Sequence, residues 1–431
     1  MLLFALLCAM AMSGKAQDEL AQWADTCFAE LKAACDRPEA NLWGRNLFGP
    51  VMLIDVPHRI LYANQLDHQG LLHRYDALVD TGRLDPNTEV ANTATDWGGV
   101  HWATVMFPVN NTTAKRMRLF LHESFHRIQD SLGFPMHSPM CADLDTREGR
   151  IWFRLELRAL KTALAMPVNE RSRPLSDALL FREYRFHIFP GARGNESALE
   201  WNEGLAEFTG VYVSGIWKSD PGYLARTVDM DTLHYPSFTR SSAYLTGPLY
   251  GILLTQGAPG WQRKITATDN FADLIRNAYG LKATVPDSAL AATRAESYDG
   301  PAIVAQENAR EERHATLAKH YKAALIDGPV LVLHLYNVSV SFDPNNVFSL
   351  GDNATVYPGI TVHDDWGRLE VTDAAMVSSD WKKLTLPLGD SQARQTGNVL
   401  NGPGWTLTLQ AGWKLVPGAR QDLGDLTLLK E

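Results

Sequence analysis

The chain has 431 residues, too many for one ordinary domain, so two or three are expected. Apolar residues make up 45% and charged residues 21%, the balance of an ordinary globular protein. A formal net charge of −9 argues against a general nucleic-acid or anionic-membrane binder and leaves any other membrane association open.

The chain begins with an apolar run over residues 2–12, too short to span a bilayer, followed by Ser13, Gly14, Lys15 and Ala16. This reads as the apolar core and cleavage region of a secretory signal, with a cut expected after Ala16 and a secreted or periplasmic protein as the expectation; the other reading is a buried or frayed N-terminal helix. No Lys or Arg precedes the run, and Leu7 is too large for the residue before a lipidated Cys8. Removing residues 1–16 leaves Cys27, Cys35 and Cys141, an odd number that cannot all pair within the chain. Cys27 and Cys35 lie about two helical turns apart, roughly 12 Å, which excludes a bridge unless the helix breaks. No cysteine spacing is that of a zinc site.

Residues 19–34 predict a helix, and residues 42–109 carry short apolar runs divided by turn residues. Strands are expected over 51–56, 59–63 and 101–109, with 92–99 (NTATDWGG) as a loop. A helix follows, capped by Thr112 or Thr113 and stopped at Gly133. Further helices are expected over 148–165 and 175–189, from near Asn195, and over 271–279 and 303–326. From Pro329 onward, β-like runs separated by Gly, Asn, Asp and Pro predict a β-sandwich-like domain. The expected fold class is therefore α+β: residues 17–328 form a β-rich part followed by a helical part, and 329–431 form an all-β domain.

Residues 122–126 read HESFH. On a helix, positions i and i+4 share a face, so His122 and His126 can reach one Zn²⁺ ion. Glu123 beside the first ligand can take the proton of a water whose pKa the zinc has lowered. Leu119, Phe120, Leu121, Phe125 and Ile128 give the motif a helical, apolar setting, while the charged Arg127 is unusual after the second His. Zinc needs a third protein ligand and an open position. A metzincin would carry Gly and His at 129 and 132, where this chain has Gln129 and Leu132. WNEGLAEF offers Glu203 instead, with Glu207 one turn later on the same face to accept a hydrogen bond from a ligating His.

HESFH followed by NEGLAEF resembles the gluzincin, or thermolysin-like, zinc metallopeptidases. The resemblance covers roughly residues 95–260 and implies a gluzincin-type catalytic domain with Glu203 as the third ligand. It also implies two extra helices between His126 and Glu203, because that gap is longer than in the aminopeptidase branch. The branch has a Tyr in a Y-x-x-G setting after the third ligand, stabilising the oxyanion. AYLTG places Tyr244 and Gly247 similarly, with Tyr235 and Tyr250 as rivals. The G-x-M-E-N segment that anchors a substrate amino terminus is absent, and GGVHWATVMF carries no acid. That favours internal cleavage, with an extended peptide pairing against the 101–109 strand as a sheet edge.

Two other patterns bear on the cleft. Arg147, Arg150, Arg154 and Arg158 form a helical stripe whose default reading is a solvated or internally paired face. The insert between His126 and Glu203 could supply an acid or an Arg that closes the cleft, with Glu196 and Glu200 nearest in sequence. Trp366, Trp381, Trp405 and Trp413 are expected as core residues. The functional expectation is a zinc peptidase acting on peptide or protein substrates, with no nucleic-acid partner. The alternatives are a zinc hydrolase of a non-peptide amide or ester and an inactive secreted binding protein.

Overall fold

The computed structural model describes residues 14–431 except 86–87, 89, 235–236, 284, 344–345, 351–353 and 390–392. The signal-like run through residue 13 and the rival Tyr235 lie outside the described residues. The fold is α+β, with a helical middle between N-terminal and C-terminal β-sheets. The chain divides into two compact units, residues 1–234 with 241–300 and residues 235–240 with 301–431.

The first unit opens with α1 (Gly14–Cys35). Cys27 and Cys35 lie on this unbroken helix and are unpaired, as is Cys141. Strands β1 (Val51–Asp55), β2 (Ile60–Ala63), β3 (His73–Arg74), β4 (Asp80–Arg83), β5 (Thr93–Trp97) and β6 (Val100–Met106) form one sheet in the order β3-β4-β2-β1-β6-β5. Every residue of β1 is buried, as suits a strand covered on both faces. Strand β6 pairs parallel with β1 and antiparallel with β5.

Two expectations are corrected here. Residues 92–99, expected as a loop, contain β5, closed onto β6 by a two-residue turn at Gly98 and Gly99 with φ of 59° and 76°. Left-handed φ at both central residues is the hairpin geometry that continues strand twist. The Asn, Asp and Gly residues signal the turn and mask the short Thr-Ala-Thr alternation before it. The second correction follows from the first. Strand β6 is interior, and the edge of the sheet on that side is β5.

Helix α2 (Thr113–Gln129) packs on β5 and β6 and buries His122 through His126. Helices α3 (Arg147–Ala165) and α4 (Ser172–Ile188) pack against each other and fill the interval between the two halves of the motif. Helix α5 (Ala192–Leu199) runs into α6 (Leu205–Ser214) through one wide turn with π-type hydrogen bonding at Glu200–Gly204. Helices α7 (Ile216–Ser219), α8 (Tyr223–His234), α9 (Ser242–Gly257), α10 (Phe271–Ala278) and α11 (Ser288–Ala295) complete the unit, and α6 packs between α2 and α9.

A buried ion-pair network ties α3, α4 and the wide turn together. Arg182 meets Glu156 at 3.0 Å and Glu200 at 2.6 Å, and Arg185 meets Glu156 at 2.8 Å and Glu196 at 2.5 Å. The Tyr250 hydroxyl donates to Glu156 at 2.7 Å. Charges this far from water persist only when mutually paired. Glu196 and Glu200 are thus committed to the core and do not close a cleft. Arg150 and Arg154 of the stripe are likewise buried rather than solvated, and Arg158 pairs with Asp229 at 3.0 Å.

The second unit holds α12 (Gly300–Lys322), a seven-stranded sheet and a six-stranded sheet. Leu331, Leu333, Leu384 and Leu386 from one sheet and Val362, Leu369, Leu400 and Leu407 from the other share a single apolar core. Two sheets sealing one core between them form a sandwich. Trp366 and Trp405 lie inside it, with Trp381 and Trp413 packed against its margin. Among the described residues no helix is long and apolar enough to cross a membrane.

Candidate metal centre

The centre begins with helical periodicity. His122 and His126 sit one turn apart on the buried face of α2, and their Nε2 atoms are 3.1 Å apart. The wide turn before α6 brings Glu203 opposite them, with Oε2 at 3.4 Å from His122 Nε2 and 3.5 Å from His126 Nε2. A turn of this type shifts the register of the side chains that follow it, and such turns cluster at functional sites. His122, Glu123 and His126, all buried, offer ligand atoms within 4.8 Å of one another and can hold a metal ion. Two carboxylates therefore compete for the imidazoles. Glu203 Oε2 closes a near-equilateral triangle with both Nε2 atoms, whereas Glu123 Oε2 is buried without any hydrogen-bond partner. A buried acceptor left bare in a native protein marks a place for a bound water, an ion or a catalytic proton.

Each imidazole turns its other nitrogen to an acceptor. His122 Nδ1 lies 3.0 Å from Glu207 Oε2, and Arg118 donates to the other oxygen of Glu207. His126 Nδ1 lies 2.8 Å from Gln129 Oε1. With Nδ1 donating in both rings, Nε2 is the nitrogen each ring turns to the centre, and loss of its proton leaves the tautomer in which imidazole ligates through Nε2.

The electrostatics favour positive charge at the centre. Burial works against a charged His122, but hydrogen bonds to Glu203 and Glu207 prevail and raise it to about 10. Burial likewise opposes ionisation of Glu203, and hydrogen bonds from His122 and His126 outweigh it and hold the carboxyl below its usual range. Glu207 is lowered against its burial by Arg118 and then His122. Glu123 is raised by burial, with His122 and His126 pulling the other way. Burial first and the Glu203 charge second raise Tyr244, so its hydroxyl stays a neutral donor.

Tyr244 reaches the centre because two glycines let two helices touch. A Cβ on Gly247 would stand 2.3–2.6 Å from the backbone of Gly204, so α9 packs directly on the turn that carries Glu203. One turn before Gly247, the Tyr244 ring stacks on His122 at 5.5 Å between centroids, and its hydroxyl donates to Glu203 Oε2 at 2.6 Å. Tyr250, on the same helix, is buried away from the imidazoles against Glu156. Arg127 also points elsewhere, donating to the carbonyls of Asn46 and Leu47 at 3.2 and 3.1 Å.

Sequence reasoning missed four contributors: Arg118, Gln129, Ser138 and Asn202. Ser138 donates to Glu203 Oε1 at 3.2 Å and Asn202 donates to the same oxygen at 3.0 Å. Arg118 carried a signal, since it sits one turn before His122 on the same helix face. Gln129 carried one too, one turn after His126. Ser138 follows a Pro-rich loop with no periodicity to mark it. The chain matches no family model, no curated protein and no solved structure.

Proposed function

We propose that this chain is a secreted or periplasmic zinc metallopeptidase of gluzincin type that hydrolyses internal peptide bonds. One observation carries the reading. The edges of the triangle formed by His122 Nε2, His126 Nε2 and Glu203 Oε2 are 3.1, 3.4 and 3.5 Å. Ligand bonds of 2.0–2.1 Å about a tetrahedral zinc require edges of roughly 3.3–3.4 Å. Two imidazoles and one carboxylate with a fourth position free is the donor set of catalytic rather than structural zinc.

Zinc held by these three residues supplies Lewis-acid polarisation of the scissile carbonyl and acidifies a water. The protein's own groups do the rest. The bare Glu123 Oε2 accepts the proton of the attacking water, and the carboxyl then passes it to the departing amine. The Tyr244 hydroxyl donates to the oxygen of the carbonyl as negative charge develops there. Glu207 fixes the His122 ring, and Arg118 fixes Glu207. Strand β5, at the edge of the sheet among the described residues, offers backbone groups to an extended peptide. Strand β6 carries no acid to hold a free amino terminus, which favours internal bonds as the targets.

The test is digestion of long peptides blocked at both ends, read by mass spectrometry, with and without a chelator. Internal fragments that vanish on chelation and return with zinc support the reading. Cleavage only when the amino terminus is free contradicts the endopeptidase part. Zinc binding without cleavage of any peptide turns the reading towards a non-peptide amide or ester, or towards a binding protein.

A further inference from the structure

We infer that Gln129 is a positioning residue that sets the His126 imidazole and the Glu203 carboxylate together, joining the two halves of the metal centre through Asn202. The inference rests on the metal-centre reading above and concerns a residue that ligates nothing itself.

Gln129 is completely buried, one turn after His126 on α2. Its Nε2 lies 2.9 Å from the Pro135 carbonyl oxygen and 2.9 Å from Asn202 Oδ1. A carbonyl oxygen can only accept, so the amide orientation follows: the NH₂ group faces Pro135 and Asn202, and Oε1 faces His126. An amide oxygen can only accept in turn, so His126 Nδ1 must carry a proton, which leaves Nε2 as the nitrogen able to ligate. The same amide pins Asn202. With Oδ1 accepting from Gln129, Asn202 Nδ2 donates to Ser138 Oγ at 2.8 Å and to Glu203 Oε1 at 3.0 Å. That leaves Oε2 of Glu203 as the oxygen beside both imidazoles.

One side chain therefore decides the tautomer of one ligand and, through a second amide, the facing oxygen of another. The two ligands come from elements that are distant in sequence, and the Gln129–Asn202 link joins them through the atoms that face away from the metal position. His122 has a different arrangement, with an anionic partner, Glu207, anchored by Arg118. A neutral amide at His126 leaves that ring less electron-rich than a carboxylate partner would. The centre thus binds its ion with one strongly and one weakly activated imidazole.

The experiment uses full-length protein with wild-type, Gln129→Leu and Gln129→Glu chains. Zinc affinity is measured by competition with a chromogenic chelator. The protonated nitrogen of His126 is read from ¹⁵N shifts of histidine-labelled, zinc-loaded protein, and folding is checked by circular dichroism. Gln129→Leu is expected to weaken zinc by about 10–100-fold, the usual effect of removing a hydrogen-bond partner of a ligand, and to lose the single Nδ1–H form of His126. Gln129→Glu keeps an acceptor for Nδ1–H but cannot donate to Asn202. It should preserve the His126 tautomer while still losing affinity, because the lost donation to Asn202 outweighs the more electron-rich ring, and it carries the test should the Leu variant fail to fold. A purely structural role would lower stability without moving the ¹⁵N signature. Unchanged zinc affinity and unchanged His126 shifts in the folded variants, with zinc binding by wild type, would overturn the positioning role alone. Failure of wild type to bind zinc would overturn the metal-centre reading and this inference with it.

Discussion

Gly247→Ala probes the contact that delivers Tyr244. The new Cβ would lie 2.3 Å from the Gly204 carbonyl oxygen, 2.4 Å from its Cα and 2.6 Å from its carbonyl carbon. Both partners are backbone, so no side chain can swing aside. Restoring ordinary contact needs α9 and the Glu203 turn to part by about 1 Å. Tyr244 rides on the same helix one turn away, and its 2.6 Å hydrogen bond to Glu203 would stretch to about 3.6 Å, beyond useful range. Overpacking of this kind destabilises by about 1–3 kcal/mol. Misplacing the hydroxyl should reduce kcat by about the 10²–10³ lost with an oxyanion donor. Urea unfolding gives the first quantity, and peptide hydrolysis by zinc-loaded protein gives the second. If the loss acts through Tyr244, then adding Gly247→Ala to Tyr244→Phe should cost little further rate. An unfolding free energy within about 0.5 kcal/mol of wild type, together with wild-type turnover, would refute the close-packing argument.

Three further outcomes are expected. Glu123→Gln should keep zinc and lose turnover, because an amide cannot accept the water's proton, and near wild-type rates in the zinc-loaded variant would remove Glu123 from the base role. Tyr244→Phe should lower kcat by about 10²–10³ with little change in metal content, whereas Tyr250→Phe should act on stability by stripping a donor from buried Glu156; the opposite pattern in kinetics and unfolding would exchange their roles. Arg182→Met should destabilise by about 3–5 kcal/mol, since it leaves Glu156 and Glu200 buried with too little compensation. A change under about 1 kcal/mol in denaturant unfolding would show that the network relaxes or hydrates instead.

The candidate centre was legible where its geometry is local. His122 and His126 share a face because four residues make about one helical turn, and Glu207 follows Glu203 by the same interval. The glycines of NEGLAEF and AYLTG could be noticed as motif letters. Their reason, one backbone pressed on the other, appears only when α6 and α9 are docked. Gln129 illustrates the limit. Sequence logic marks it as a non-ligand, and its hydrogen bond to Asn202 spans two helices that no periodicity connects. The buried network failed in the opposite sense, since Glu196, Glu200 and the arginines of α4 look like surface charges until partners from three elements are assembled around them. In the sheet, strand positions near β1, β2 and β6 followed from apolar runs. The short β5 did not, and with it the identity of the edge was lost. In the C-terminal unit the alternation of apolar residues announced β structure, while the pairing order of the two sheets depends on contacts too distant in sequence to be read from it.

The central claim is that one zinc is held by His122, His126 and Glu203, and metal analysis tests it most directly. Purified wild-type protein, loaded and dialysed, should carry one zinc per chain, and His126→Ala and Glu203→Ala should each lose most of it while remaining folded. Full retention of zinc in both variants would contradict the account.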